Sequence, residues 1–222
     1  AIRLVNHALR TGSEVKRLEK PQLSGQRLLD PGTWIIADSS VWDVMSHAAN
    51  MHVRTTVISP ITGELPSVRQ PKMGLYDPQQ QSASDFGWLR LWLERAGFAF
   101  EILTSEDIVH GRLKNIETLL VPHTNPELLI WPHPEQSYPP EFTRGLSDRV
   151  SVALRTWLHR GGHLIAFEGA VQAIIDRLNI PLVQPRIGTH KKSFASSGAI
   201  MSLKPNTHAE ACIGIDEPFP AM

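Results

Sequence analysis

Two hydrophobic periods alternate along this chain. Short apolar runs of strand length stand between longer stretches whose apolar positions fall at helical spacing. From residue 72 onward the alternation is regular. Met73–Tyr76 reads as a short buried strand, Ser84–Ala96 as a helix, Phe98–Leu103 as a strand and Ser105–His110 as a short helix capped by Ser105. Thr118–Val121 is the next strand, and residues 123–146 form a long loop with five prolines. Leu146–His159 is a helix, His163–Phe167 a strand, Val171–Leu178 a helix and Ala199–Leu203 a strand. Strands and helices of this length in alternation predict a parallel sheet covered on both faces, in a flavodoxin-like, doubly wound order.

The first 60 residues predict a smaller α/β unit. A helix around Leu4–Arg10 ends near Gly12, and Glu14–Leu18 reads as a strand. Asp30-Pro31-Gly32 is a turn signal before the β-rich run Thr33–Ala37. Ser39 or Ser40 can cap a helix over Val41–Asn50, and Val53–Ile58 reads as another strand. Residues 60–71 hold three prolines and one glycine. The expected organisation is a spacer at 1–60, a linker at 61–71 and an α/β domain at 72–222.

The stretch Gly161-Gly162-His163-Leu164-Ile165-Ala166-Phe167-Glu168-Gly169-Ala170 reads as a buried strand turning tightly into a helix. In open α/β sheets such a turn presents ligands and nucleophiles. A catalytic version would carry Ser or Cys there; this one carries Glu168. That carboxylate either caps the helix, using its free N–H groups and dipole, or stands as an acid in a ligand crevice. Capping is the expected role. At that turn it would also disfavour an anionic ligand.

Composition narrows the function. Of 222 residues, 41% are hydrophobic and 20% charged, as in a globular protein. Lys plus Arg and Asp plus Glu each number 22, which argues against a general nucleic-acid binder. No apolar run approaches the roughly 20 residues that span a bilayer, so no membrane insertion is expected. The single cysteine, Cys212, allows no intrachain disulfide and reads as a small, partly buried hydrophobe. The chain begins at Ala1 and stops at Pro220-Ala221-Met222, and it reads as a fragment of a longer protein.

Several segments in order resemble one family. Asp85-Phe86-Gly87-Trp88-Leu89-Arg90-Leu91-Trp92-Leu93-Glu94 with Ala96-Gly97-Phe98 resembles a "D-x-G-W-x-R-x-x-L-E…G-F" segment. It belongs to a domain that follows the catalytic domain of bacterial zinc carboxypeptidases, with a class I glutamine amidotransferase-like fold. Pro139-Pro140-Glu141-Phe142-Thr143-Arg144-Gly145-Leu146 is similar to its "P-P-E-Y-x-G-G-L" loop, with Arg144 in place of glycine. Gly161–Ala170 resembles its "G-G-x-L-V-A-L-G-A" turn, and Phe194–Leu203 its "F-x-x-P-G-S-x-L-x-L" strand, with Ser196-Ser197-Gly198 departing. His208 matches an "H-P-L" histidine, followed here by Ala209-Glu210. Asn6–Leu18 and Pro31–Ile36 look like the preceding spacer. The resemblance implies a non-catalytic accessory domain of a zinc carboxypeptidase. Its partner would be its own missing peptidase domain, with zinc held there; the compartment stays open, the resemblance to secreted peptidases suggesting export to the periplasm or medium.

The candidate chemistry in the chain itself is sparse. A peptidase zinc needs two histidines and a carboxylate, which the family draws from His-x-x-Glu and a distant His. No His-x-x-Glu occurs, and His123, Glu127, His133 and Glu135 lie in a proline-broken loop. No metal site or cofactor is therefore expected within this chain. Amidotransferases use a Cys thiolate activated by a neighbouring base. Aligning Gln172 with the glutamine of their "G-I-C-L-G-x-Q" segment puts Glu168 at the Cys position. His208 and Glu210 keep a His-x-Glu spacing, although an exposed polar turn explains them as well. Thr189–Lys192 is a small basic cluster in a solvated loop, and His159-Arg160-Gly161-Gly162 reads as a helix C-terminus. The helix bearing Phe86, Trp88, Leu89, Leu91, Trp92 and Leu93 leaves little polar face and is expected in the core, with packing on another domain or subunit as the alternative. Three functions stay open: an interaction module, with a homo-oligomer among its uses; a degenerate hydrolase using Glu168, His208 and Glu210; and a binder of a sugar or peptide in the same crevice.

Overall fold

The computed structural model describes residues 1–37, 41–61, 63, 65–79, 84–131, 137–182, 200–207, 209, 212–215 and 217–221. The chain divides into two compact units, Ala1–Arg69 with Pro185–Met222, and Gln70–Gln184.

The second unit is built on a four-stranded parallel sheet. Its strands are β6 (Met73–Tyr76), β7 (Phe100–Leu103), β8 (Thr118–Val121) and β9 (His163–Ala166), in the order β7-β6-β8-β9. Met73 and Leu75 point to one face, where Leu120 joins them and helix α3 (Ser84–Ala96) packs down with Phe86, Leu89 and Leu93. Tyr76, Leu103, Leu119 and Val121 point to the other face. That face is covered by α4 (Ser105–Val109), α5 (Pro126–Ile130), α6 (Asp148–His159) and α7 (Gly169–Leu178) through Ile108, Leu129, Val150, Leu154, Trp157 and Ile174. Burial of each such side chain contributes about 1.5–3 kcal/mol, so this larger cluster holds the unit together. Trp157 combines apolar burial with a bond from its indole N–H to the Ile116 carbonyl at 2.8 Å.

Local sequence explains the helix starts. Thr104, rather than Ser105, caps α4: its hydroxyl accepts from the Asp107 N–H, and the Asp107 carboxylate accepts from the Thr104 N–H, a reciprocal box. Ser105 instead points inward, donating to the Gly145 carbonyl at 2.9 Å and meeting the Tyr76 hydroxyl at 2.8 Å. Ser147 caps α6. The stretch expected as a 123–146 loop contains α5, with Asn125 as cap and Pro126 at the first helical position, and a 3-10 turn at Pro140–Phe142. Proline here starts helical turns rather than preventing them, because the first N–H groups of a helix have no partner to lose.

In the first unit, helix α1 (Ile2–Arg10) lays Leu4, Val5 and Ala8 on one side. They face an antiparallel sheet of β4 (Trp34–Ala37), β1 (Glu14–Arg17) and β5 (Ser67–Val68), with Val15 opposite Ile36 and Val68. Helix α2 (Val41–Asn50) buries only Ala48, and His47 on it stacks on His7 of α1 with ring centroids 4.1 Å apart. A hairpin of β2 (Gln22–Ser24) and β3 (Arg27–Leu29) turns through Gly25 at φ 61°. A further pair joins β10 (Met201–Leu203) to β11 (Phe219–Ala221). Val53–Ile58 is not a strand: no described strand pairs with it, and Val57 is exposed. Its β-branched residues satisfy propensity, but a strand exists only where a partner accepts its hydrogen bonds. No helix among the described residues is long and apolar enough to cross a membrane.

Candidate functional site

β8 and β9 are neighbours in register, with Val121 opposite Ala166. Two residues further on each strand the chain has His123 and Glu168, so the parallel register alone brings these side chains together at the carboxyl end of the sheet. The His123 Nδ1 lies 3.3 Å from the Glu168 Oε2.

Glu168 has φ 43° and ψ −115°, a left-handed conformation rarely taken by a residue with a Cβ. A sharp turn from strand into helix imposes it, and the strain is of order 1–3 kcal/mol. The neighbouring Gly169 has a different reason to be glycine. A Cβ there would run into the Thr124 carbonyl oxygen and crowd the His123 ring, so only glycine lets the loop after β8 lie against the turn.

Glu168 occupies the N-cap position of α7, yet its side chain caps nothing. The expected capping role is overturned because the turn aims the carboxylate outward, where it is 74% exposed. The free amide of Gly169 is satisfied by His123 instead, whose Nδ1 accepts from it at 3.1 Å. With Nδ1 accepting, the imidazole proton sits on Nε2. The same nitrogen cannot accept from Gly169 and donate to Glu168 together, so a proton on Nδ1 would exchange one bond for the other.

A crevice of about 540 Å³ adjoins this pair, lined by Ser84 and Asp85 at the start of α3 and by His123, Thr124, Asn125, Pro126 and Glu127 after β8. It lies where helices leave adjacent strands toward opposite faces, the position at which open α/β sheets hold ligands. Among the described residues no group of three or more His, Cys, Asp or Glu side chains fits a metal ion.

Of the expected site residues, Glu168 is at the turn, whereas His208 and Glu210 lie outside the described residues. His133, Glu135 and Thr189–Lys192 lie outside them too. His123 was read as one of several residues of a proline-broken loop; it is the partner of the turn. Its signal in the sequence was its offset from strand Thr118–Val121, equal to that of Glu168 from His163–Ala166. Cys212 is partly buried and free, remote in sequence from the turn.

Chemically the turn residues Phe167–Ala170 carry the Glu168 carboxylate, set beside the His123 imidazole, and no thiol or hydroxyl of their own. Attack by a carboxylate on an amide would have to produce a mixed anhydride and expel an amine, a poor exchange compared with forming a thioester or ester. Comparisons with family models, with curated proteins and with solved structures returned no match.

Proposed function

We propose that this chain is a non-catalytic accessory module of a zinc carboxypeptidase, with a flavodoxin-like, amidotransferase-like second unit. The observation that carries the reading is the strained turn itself, which keeps the backbone of a nucleophile elbow but bears Glu168 at φ 43°. A second observation favours docking over chemistry. Trp88 and Trp92 were expected in the core but are 70% and 56% exposed on α3. Phe86, Leu89, Leu93 and Ala96 already fill the inward stripe of that helix, which leaves the two indoles outside. Exposed tryptophans are costly in water and are enriched where proteins meet. The missing peptidase domain is the partner this reading assigns to them, with zinc held there and peptide hydrolysis done there.

Two experiments test it. The isolated chain, assayed on amide, ester and peptide substrates, is expected to be inactive, and Glu168→Ala should change nothing; turnover abolished by that substitution would sink the reading. Sequencing the gene around this stretch should show a His-x-x-Glu codon pattern and a distant His codon in the same frame. Their absence would remove the peptidase attachment.

The crevice beside His123 supports a second reading, a small-ligand site for a sugar or peptide. Ser84, Asp85, Asn125 and the Nε2–H of His123 supply mixed donors and acceptors there. A thermal-shift screen with sugars and short peptides checks it; a binder weakened by His123→Ala or Glu168→Ala is the expected result, and no shift with any of them discards it.

A further inference from the structure

Among the described residues β9 is an edge strand. The N–H groups of His163 and Phe167 bond to the Glu117 and Val121 carbonyls on the β8 side at 2.9 and 3.0 Å. In a parallel ladder alternate residues serve alternate sides, so Leu164 and Ala166 direct their N–H and C=O groups away from β8. No described strand pairs with that side.

Among the described residues one face of β9 is also partly exposed. Leu164 and Ala166 pack into the larger cluster, but Ile165 is 47% and Phe167 39% exposed on the opposite face. Parallel sheets are normally covered on both faces. Exposed edges are normally blunted by lysine, proline or a bulge, and His163–Ala166 carries none of these.

The charges around the strand are arranged end to end. Arg160 and His163 stand exposed at its start, and the Glu168 carboxylate stands exposed at its finish. A two-fold axis pairs a strand with its own copy in antiparallel sense. That pairing sets the basic end of each copy beside the acidic end of the other, twice. Centred on Ile165, it places Ile165 against its own counterpart and His163 beside Phe167 of the other copy on the exposed face.

We propose that β9 is the seam of a homodimer, in which two copies pair their β9 strands antiparallel and continue the parallel sheet of one copy into that of the other. The seam is independent of the accessory reading: its failure leaves that reading standing, and an active Glu168 would leave the seam standing.

Light scattering on the size-fractionated full chain, over a range of concentrations, tests it. The wild type is expected at twice the chain mass at the high end. Ala166→Pro, which removes one outward N–H at a position where an edge strand tolerates proline, should give a monomer with unchanged circular dichroism. Ile165→Lys, on the exposed face, serves as a second variant if the proline disturbs folding. Arg160→Glu should weaken the dimer about tenfold, since two symmetric ion pairs are lost together, and Arg160→Glu with Glu168→Arg should restore it. A wild type that stays monomeric at every concentration overturns the proposal. So does a dimer indifferent to both Ala166→Pro and Ile165→Lys, or a double charge exchange that fails to restore what Arg160→Glu removes.

Discussion

Tyr76 shows how much one buried polar atom can govern. Its ring is in the core and its hydroxyl meets the Ser105 hydroxyl at 2.8 Å. Burial pushes its pKa up to about 12 from 10, with the Ser105 bond opposing and the nearby Asp77 charge adding. The pKa is raised on folding, so its contribution is fully present below pH 10 and is lost as pH rises through 10 toward 12. The total is roughly 2–3 kcal/mol. Chemical denaturation at pH 9 and pH 12 should therefore show a smaller alkaline loss for Tyr76→Phe than for the wild type; equal losses would remove Tyr76 as the cause. Glu168 is the other decisive residue. Its left-handed backbone predicts that Glu168→Gly stabilises the protein by about 1 kcal/mol, the strain relieved less the flexibility added in the unfolded chain. A lower Tm in that variant would show that the contact with His123 outweighs the strain.

At the scale of elements, the sequence was most legible where periodicity was strong and the ends carried chemical signals. Ser84–Ala96, Val41–Asn50 and Thr118–Val121 have the boundaries their patterns predict. The departures each have a local cause. Proline at the first position of α5 was read as a breaker, and the Thr104 cap was read one residue late because threonine and serine stand side by side. The hairpin of β2 and β3 escaped because its turn, Gly25-Gln26, falls outside the strongest turn pairs, and its exposed Leu23 and Leu28 give no burial pattern. The box at Thr104 makes a direct prediction. Thr104→Ala should cost about 1 kcal/mol in urea unfolding, while Thr104→Ser should cost much less. In the native protein burial works to raise the Asp107 carboxyl. The bonds from Thr104 and Arg112 together outweigh it and hold the group below the usual range.

At the scale of the molecule, the weight of stability lies in the larger cluster of the second unit. Leu119 is wholly buried at its centre, and Leu119→Ala should cost about 2–5 kcal/mol, read from the denaturation midpoint. Leu23→Ala, in the exposed hairpin, should stay within about 0.5 kcal/mol, so the pair of variants separates core from surface. The alternation of periods was enough to announce a mixed α/β chain with a parallel sheet, since each period follows from the geometry of a single element and needs no distant partner. It was also enough to show that the turn after the last strand of that sheet carries an acid. Which strands are neighbours, and hence that His123 meets Glu168 and not another residue, depended on register across the sheet. The exposure of Trp88 and Trp92 depended on how much apolar surface the other residues of α3 had already covered. Such outcomes are settled by competition among segments far apart in the chain, which local spacing does not contain, and only the folded arrangement decides them.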